Sequence, residues 1–170
     1  MDPEAVNLAL LVARLSFGLM LFYHGYNKVF GGGGISGTAR WFDGMGMRPG
    51  TLNAWMAALT EMGSGLLLAA GLLTSFAAAG GVALMVVAAY TVHLKNGFMI
   101  LNEGWEYVFI IAIGVVLIAT IGPGEWSLDD SIGIADDLDN WTGMVIAAVG
   151  GVAAGVGQLA IFYRPPAASS

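Results

Sequence analysis

The chemistry available to this chain rests on a few polar side chains set in apolar sequence. His24 and Lys28 stand one helical turn apart. Glu61 interrupts a run of Leu, Ala and Gly. Tyr90, His93 and Lys95 close one apolar segment, and Glu106 and Tyr107 open the next. Imidazole, ammonium and phenol groups donate hydrogen bonds, and a carboxylate or imidazole can relay a proton. His24, Glu61, His93 and Glu106 are therefore the candidates for proton chemistry. His24, Lys28, Tyr90, His93, Lys95 and Tyr107 are the candidates for holding a ligand such as a quinone carbonyl or a lipid headgroup. Two histidines with a carboxylate also suit iron or zinc, but no His-x-x-x-His or Glu-x-x-His spacing lies on one helix, so no metal is expected. The absence of cysteine excludes Cys-ligated metal, disulfides and thiol nucleophiles. Gly31 to Gly34 are followed by no Gly-Lys-Ser/Thr and form no phosphate loop, and no flavin-binding motif occurs.

The elements that position these groups follow from composition. Of 170 residues, 57% are apolar and 11% charged, against about 25% charged in a soluble domain. The chain is expected to be an all-α, polytopic membrane bundle forming one domain over residues 1–170. A span needs ~20 mostly apolar residues, and five segments qualify: 5–26, 52–73, 76–93, 105–121 and 143–163. The acidic start at Asp2 and Glu4 reads as the flank of a retained span. A tight turn near Thr74-Ser75 makes the second and third spans a hairpin. Residues 38–45 read as an interfacial amphipathic helix carrying Trp41 and Phe42. Residues 122–142 form an acidic loop, read as solvated; EF-hand spacing is absent. A net charge of -6 disfavours nucleic acid.

With five spans, Lys28, Arg40, Arg48, Lys95 and Arg164 share one side, and Asp2, Glu4, Glu125, Asp129, Asp130, Asp136, Asp137 and Asp139 share the other. The positive side is cytoplasmic, so the N-terminus is expected outside the cell membrane and the C-terminus inside. Asn7, Arg14 and Lys28 recur at multiples of seven, with Leu21 filling the gap, so they form one inward seam on the first span. Arg14 lies ~12 Å from the outer end and Glu61 ~12 Å from the inner end. Within a core ~30 Å thick the two are expected to form a buried ion pair, either a packing clamp or a functional pair. His24, Lys28, Tyr90, His93, Lys95, Glu106 and Tyr107 gather at the cytoplasmic end, with Glu61 directed toward them, as a small-molecule pocket would require. Each has a plainer role as well: the lysines snorkel, Tyr107 and Trp105 join an interfacial belt, and the histidines are neutral hydrogen-bonding groups. On the fifth span, Gly143, Gly150 and Gly157 recur every seven residues, and Gly151 and Gly155 form a GxxxG. Such glycines serve packing within the bundle or a homo-oligomer face.

Several runs together resemble the DoxX family of small membrane proteins. They are Arg14-Leu15 with Phe17-Gly18, His24-Gly25-Tyr26-Asn27-Lys28, Gly37 to Phe42, Glu61 to Gly65, Gly71 to Thr74, Val92 to Phe98, Glu106-Tyr107, Gly122-Pro123-Gly124 and Ser127-Leu128-Asp129. The resemblance spans about Val12 to Asp130. It implies a four-helix core, with the fifth C-terminal transmembrane helix an extension ending Ile161 to Pro166, as in actinobacterial-type members. It also implies a link to oxidoreductases, quinones and soluble redox partners, without an established catalytic set. The expected function is the membrane subunit of a redox complex with a quinone- or lipid-sized site at the cytoplasmic end. The alternative is a non-enzymatic anchor or assembly subunit. A transporter ranks last, because no inverted repeat or broken-helix pair appears.

Overall fold

Local sequence starts and stops each helix. In a computed structural model, which describes residues 2–165, α1 runs Pro3–Phe30, α2 Gly34–Met45, α3 Gly50–Ala70, α4 Thr74–Asn96, α5 Glu106–Ile121 and α6 Asn140–Phe162. Met1 and the tail from Pro166 to Ser170 lie outside the described residues. Asp2 caps α1 by accepting from the Glu4 amide at 3.1 Å, with Pro3 at the first helical position. The helix continues past Tyr26 to the glycine run, so Lys28 sits on its last turn. Gly71, at φ 65°, ends α3, and the Leu72 amide reaches back to the Leu67 carbonyl at 2.9 Å. The turn of the α3–α4 hairpin is therefore Gly71 to Leu73, just before the expected Thr74-Ser75. The last turns of α4 loosen into a π-helical stretch, Ala89–His93, and a 3-10 turn, Leu94–Asn96.

Small residues set the helix contacts. A β-carbon at Gly18 would lie 2.6 Å from the Gly65 carbonyl oxygen, and one at Gly25 would lie 2.6 Å from that of Ala58. Antiparallel α1 and α3 thus meet backbone to backbone, as membrane helices do when small residues line the seam. Asn7, Leu10, Arg14, Gly18, Leu21 and Gly25 are the buried residues of α1, so the polar seam faces inward as its spacing predicts. Helix α4 packs against α3, α5 and α6, with Leu68, Ala78, Val82, Val115 and Ala147 at the centre of the core. The α6 glycines divide. Gly151 and Gly155 seat on Val82 and Val86 of α4, Gly143 faces Ala119 of α5, and Gly150 and Gly157 look onto open space. The GxxxG is an intramolecular packing surface.

Helix α2 begins four residues before the expected interfacial segment and docks on α3 by Ala39 and Phe42, while Trp41 stays exposed. The two rings meet edge to face, 5.4 Å between centroids, with Phe42 buried against the bundle and Trp41 at its surface. By length and composition α1, α4 and α6 can each cross a membrane, and α5 is a shorter apolar helix of 16 residues. Helix α3 is 21 residues long but dilutes its apolarity with Asn53, Thr60, Glu61 and Ser64. The architecture is an all-α membrane bundle, with α6 packed on the core of α1, α3, α4 and α5.

Candidate functional site

Lys28 and Glu61 form a nearly buried ion pair among the described residues. Lys28 Nζ donates to Glu61 Oε1 at 2.7 Å and Oε2 at 2.6 Å, with side chains 19% and 9% exposed. Arg14 is elsewhere. Its Nη2 donates to the Trp126 carbonyl at 2.6 Å, and Nε and Nη1 are buried without a partner. The expected Arg14–Glu61 pair is thus corrected, and the glycine register gives the reason. Gly25 lies beside Glu61 and Met62, while Arg14 lies beside Gly71. Ten residues of α3 separate those levels, or ~15 Å. Counting Arg14 from the outer end of α1 and Glu61 from the inner end of α3 within a core ~30 Å thick places them only ~6 Å apart in depth.

The Lys28–Glu61 pair walls a narrow cleft of about 80 Å³. Trp41, Phe42 and Met45 of α2 line it, with Ala57 of α3, Leu84, Val87, Ala88, Thr91, Val92 and His93 of α4, and Gln158 of α6. On the other face of Lys28 is an open hollow of about 360 Å³, bounded by His24, Asn27, Gly31 to Gly34, Gly37, Thr38 and Trp41. The Thr38 hydroxyl ties the two segments by donating to the Lys28 carbonyl at 3.0 Å. Lys28 therefore stands between an open polar hollow and a half-apolar cleft.

The remaining candidates separate. His93 lines the cleft, and its Nδ1 donates to the Glu103 carbonyl at 2.6 Å. A carbonyl only accepts, so Nδ1 carries a proton, which makes Nε2 the nitrogen turned to other partners. His24 lies in the hollow with its ring 6.4 Å from that of Tyr107. Tyr107 donates to Met20 Sδ at 2.9 Å. Glu106 is drawn into folding the α4–α5 loop, accepting from the Ile100 amide at 2.9 Å. Tyr90 is edge-to-face with Tyr163, and Lys95 is exposed at the end of α4. The expected four-helix convergence at the inner end is therefore narrower than its sequence reading. Of the expected residues the cleft holds Lys28, Glu61 and His93; α5 contributes none to it, and Glu106 and Tyr107 lie elsewhere. Among the described residues no three His, Asp or Glu side chains group as a metal site.

At the other end, Asn7 and Glu125 exchange two bonds: Asn7 Nδ2 to Glu125 Oε2 at 2.9 Å, and the Glu125 amide to Asn7 Oδ1 at 3.0 Å. Asp129, fully buried, accepts from the Leu73 and Thr74 amides and the Thr74 hydroxyl at 2.7 to 2.9 Å. The acidic loop was expected to be solvated. Asp130, Asp136 and Asp137 are exposed, but Asp129 is a structural clasp, and the loop winds into two short helices, Leu128–Ser131 and Ala135–Leu138.

The DoxX family model matches residues 9–94, which is α1 through nearly all of α4. The chain belongs to the DoxX family. A Haemophilus influenzae protein described as uncharacterized is 29% identical over 93 residues, covering 55% of this chain and 62% of that one. The chain thus matches less than two thirds of that relative's length. No solved structure matches. The family match contains Lys28, Glu61, His93 and the whole of α2 but stops before α6. Within this DoxX chain, Trp41, Phe42, Met45 and Gln158 are the cleft residues that motif reading missed. Gln158 had a signal: it is the one large polar side chain in an apolar span, and such a group needs a partner. Its Nε2 donates to Asn53 Oδ1 at 3.2 Å. The α2 residues had only amphipathicity, which gives a face but no neighbour.

Proposed function

We propose that this DoxX protein is the membrane subunit of a redox complex and that the Lys28–Glu61 cleft engages the head of a quinone. The observation that carries this reading is a nearly buried ion pair opening onto a cleft with apolar walls. Such a pair is retained against its desolvation penalty, and its ends are the groups a quinone uses. Lys28 Nζ donates to a quinone oxygen, His93 Nε2 accepts from a hydroxyl, and Glu61 passes protons toward Lys28 and the open hollow beside His24. Full reduction of a quinone takes two electrons and two protons. With no cysteine in the chain, the electrons come from or go to a partner redox protein. At about 80 Å³ the cleft holds a few waters, so a ring enters as Gln158 or Trp41 swings aside.

The topology proposed with this function has five spans, α1, α3, α4, α5 and α6. The end bearing Lys28, Arg40, Arg48, Lys95 and Arg164 is cytoplasmic. A reporter fused after Ser170 that is active only outside the cell overturns that orientation.

The functional test is a quinone titration of the full chain in nanodiscs, read by tryptophan fluorescence. Saturable quenching is expected, reduced by Trp41→Phe and weakened roughly tenfold by Lys28→Met, the loss of one charge-assisted hydrogen bond. A linear, non-saturating response overturns the reading. A second reading, a non-enzymatic anchor, is favoured by how many candidate side chains serve folding: His93 and Glu106 hold the α4–α5 loop. It predicts that a partner protein still co-purifies with the Lys28→Met protein while quinone response is absent from both.

A further inference from the structure

A second space meets the cleft. Helices α3 and α6 both pack on α4, and between them lies an outward-facing groove of about 470 Å³. Its walls are small or apolar, with Gly80 and Ala83 on α4 and Ala154 and Gly157 on α6. Ala57, Leu84 and Gln158 line both this groove and the Lys28–Glu61 cleft, so a single layer made of these three residues separates the two spaces. The cleft is far smaller than a usual ligand pocket, whereas the groove falls within the range of several hundred cubic ångströms typical of one.

We propose that the groove holds the isoprenoid tail of the quinone whose head the cleft takes, with Gln158 as the gate at the junction. The proposal rests on the functional reading above and specifies its ligand: a tailed quinone entering sideways from the bilayer. One ligand must be polar at one end and apolar along its length to occupy both spaces. All three residues sit on helices, and the Gln158 carboxamide, held by a single 3.2 Å bond to Asn53, is the long polar side chain that can turn away. A methyl-branched chain fills the hollows beside Ala83, Ala154 and Gly157, where a β-carbon at Gly157 would meet no atom within 4 Å. An unbranched acyl chain leaves part of that wall without contact, and such contacts are the main source of affinity when the alternative environment is lipid.

Gly157 and Gly150 lie two turns apart on α6, and a β-carbon at either meets no atom within 4 Å. Gly157 lines the groove and Gly150 does not. Leucine at either position leaves the packed seam of α6 intact, but only at 157 does it fill the groove. The experiment compares parent, Gly157→Leu and Gly150→Leu proteins, full length in nanodiscs. Each is titrated with a polyprenyl quinone and with the same head lacking its tail. The parent is expected to bind the tailed ligand more tightly. Gly157→Leu is expected to weaken the tailed ligand roughly tenfold, the lower range of an overpacking penalty, and to leave the tail-less one unchanged. Gly150→Leu leaves both unchanged. Equal behaviour of the two leucine variants overturns the proposal, as does a parent that binds both ligands equally while still binding quinone. Effective competition by a saturated-chain phospholipid assigns the groove to ordinary lipid and also overturns it. A parent that binds neither quinone overturns this proposal together with the functional reading. If Gly157→Leu fails to fold, Ala154→Leu on the same wall carries the test with the same expectations.

Discussion

Each end of the bundle places a cation and a carboxylate out of water, and the two ends use them differently. At the end of α1 that holds Asn7 and Arg14, the charges tie loops down. Asp129 has three donors on its carboxylate, and Arg14 grips the Trp126 carbonyl in a space that Gly71 leaves. At the other end, Lys28 and Glu61 satisfy each other and border free space on both sides. In the first arrangement Asp129 is saturated with donors, as a buried structural charge requires, and Arg14 is closed in against backbone with one carbonyl partner and two nitrogens left unpaired. The second keeps its polar atoms reachable by a ligand. Burial alone does not distinguish a site from a clasp; the difference lies in whether backbone groups or open space surround the charge.

The largest effect that tests this contrast is Asp129→Ala. It strands two amides and a hydroxyl under the loop and removes the carboxylate facing the α3–α4 turn. We expect a loss of about 3–5 kcal/mol, the range for breaking a buried charged network, read as a lower unfolding midpoint in detergent. Lys28→Met or Glu61→Gln should each cost less, about 2 kcal/mol, because the partner left behind can reach water. If the inner single variants are the more damaging, the assignment of clasp and site is reversed.

Charge exchange sharpens the same comparison at smaller scale. Lys28→Glu with Glu61→Lys should be less damaging than the sum of its two charge-reversed single variants, by about 1 kcal/mol or more. Arg14→Glu with Glu61→Arg should recover nothing, since the α1–α3 register holds the two apart. Recovery in the second exchange, measured by the same unfolding assay, would place Arg14 beside Glu61 after all.

Membrane class, all-helical fold and the inward seam of α1 were legible in the sequence because each depends on period or composition along one helix. Asn7, Arg14 and Leu21 share a face by geometry that no tertiary contact can alter. Which cation meets Glu61 depends on the sliding of α1 against α3, and that is set by Gly18 and Gly25 seating on Gly65 and Ala58. A depth estimate from span ends carries an error of several residues, enough to exchange Lys28 for Arg14. The burial of Asp129 was hidden for a related reason. Its neighbours Asp130, Asp136 and Asp137 are exposed, and composition averages over them, whereas one carboxylate in the loop caps the start of α4. His93 was legible as a cleft residue but not as a tautomer, since its Nδ1 partner is ten residues away in an irregular loop.

The smallest expected effect concerns Gln158, which links α6 to the core. Asn53 is fully buried and makes two bonds, accepting from Gln158 and donating to the Pro49 carbonyl at 3.0 Å. Gln158 is half-buried and its bond to Asn53 is long. In a double-mutant cycle with Asn53→Leu and Gln158→Leu, we expect a coupling of about 0.6 kcal/mol, the average for hydrogen bonds between membrane helices. Asn53→Leu alone should be the more damaging single change, because Asn53 is fully buried and also loses its side-chain bond to the Pro49 carbonyl. A coupling well above 2 kcal/mol would make Gln158 part of a clasp comparable with Asp129, holding α6 shut over the cleft. A weak coupling keeps the contrast intact: a gate must be held by less than the ligand gains on entering, and one long amide contact between two helices meets that condition where a saturated carboxylate does not.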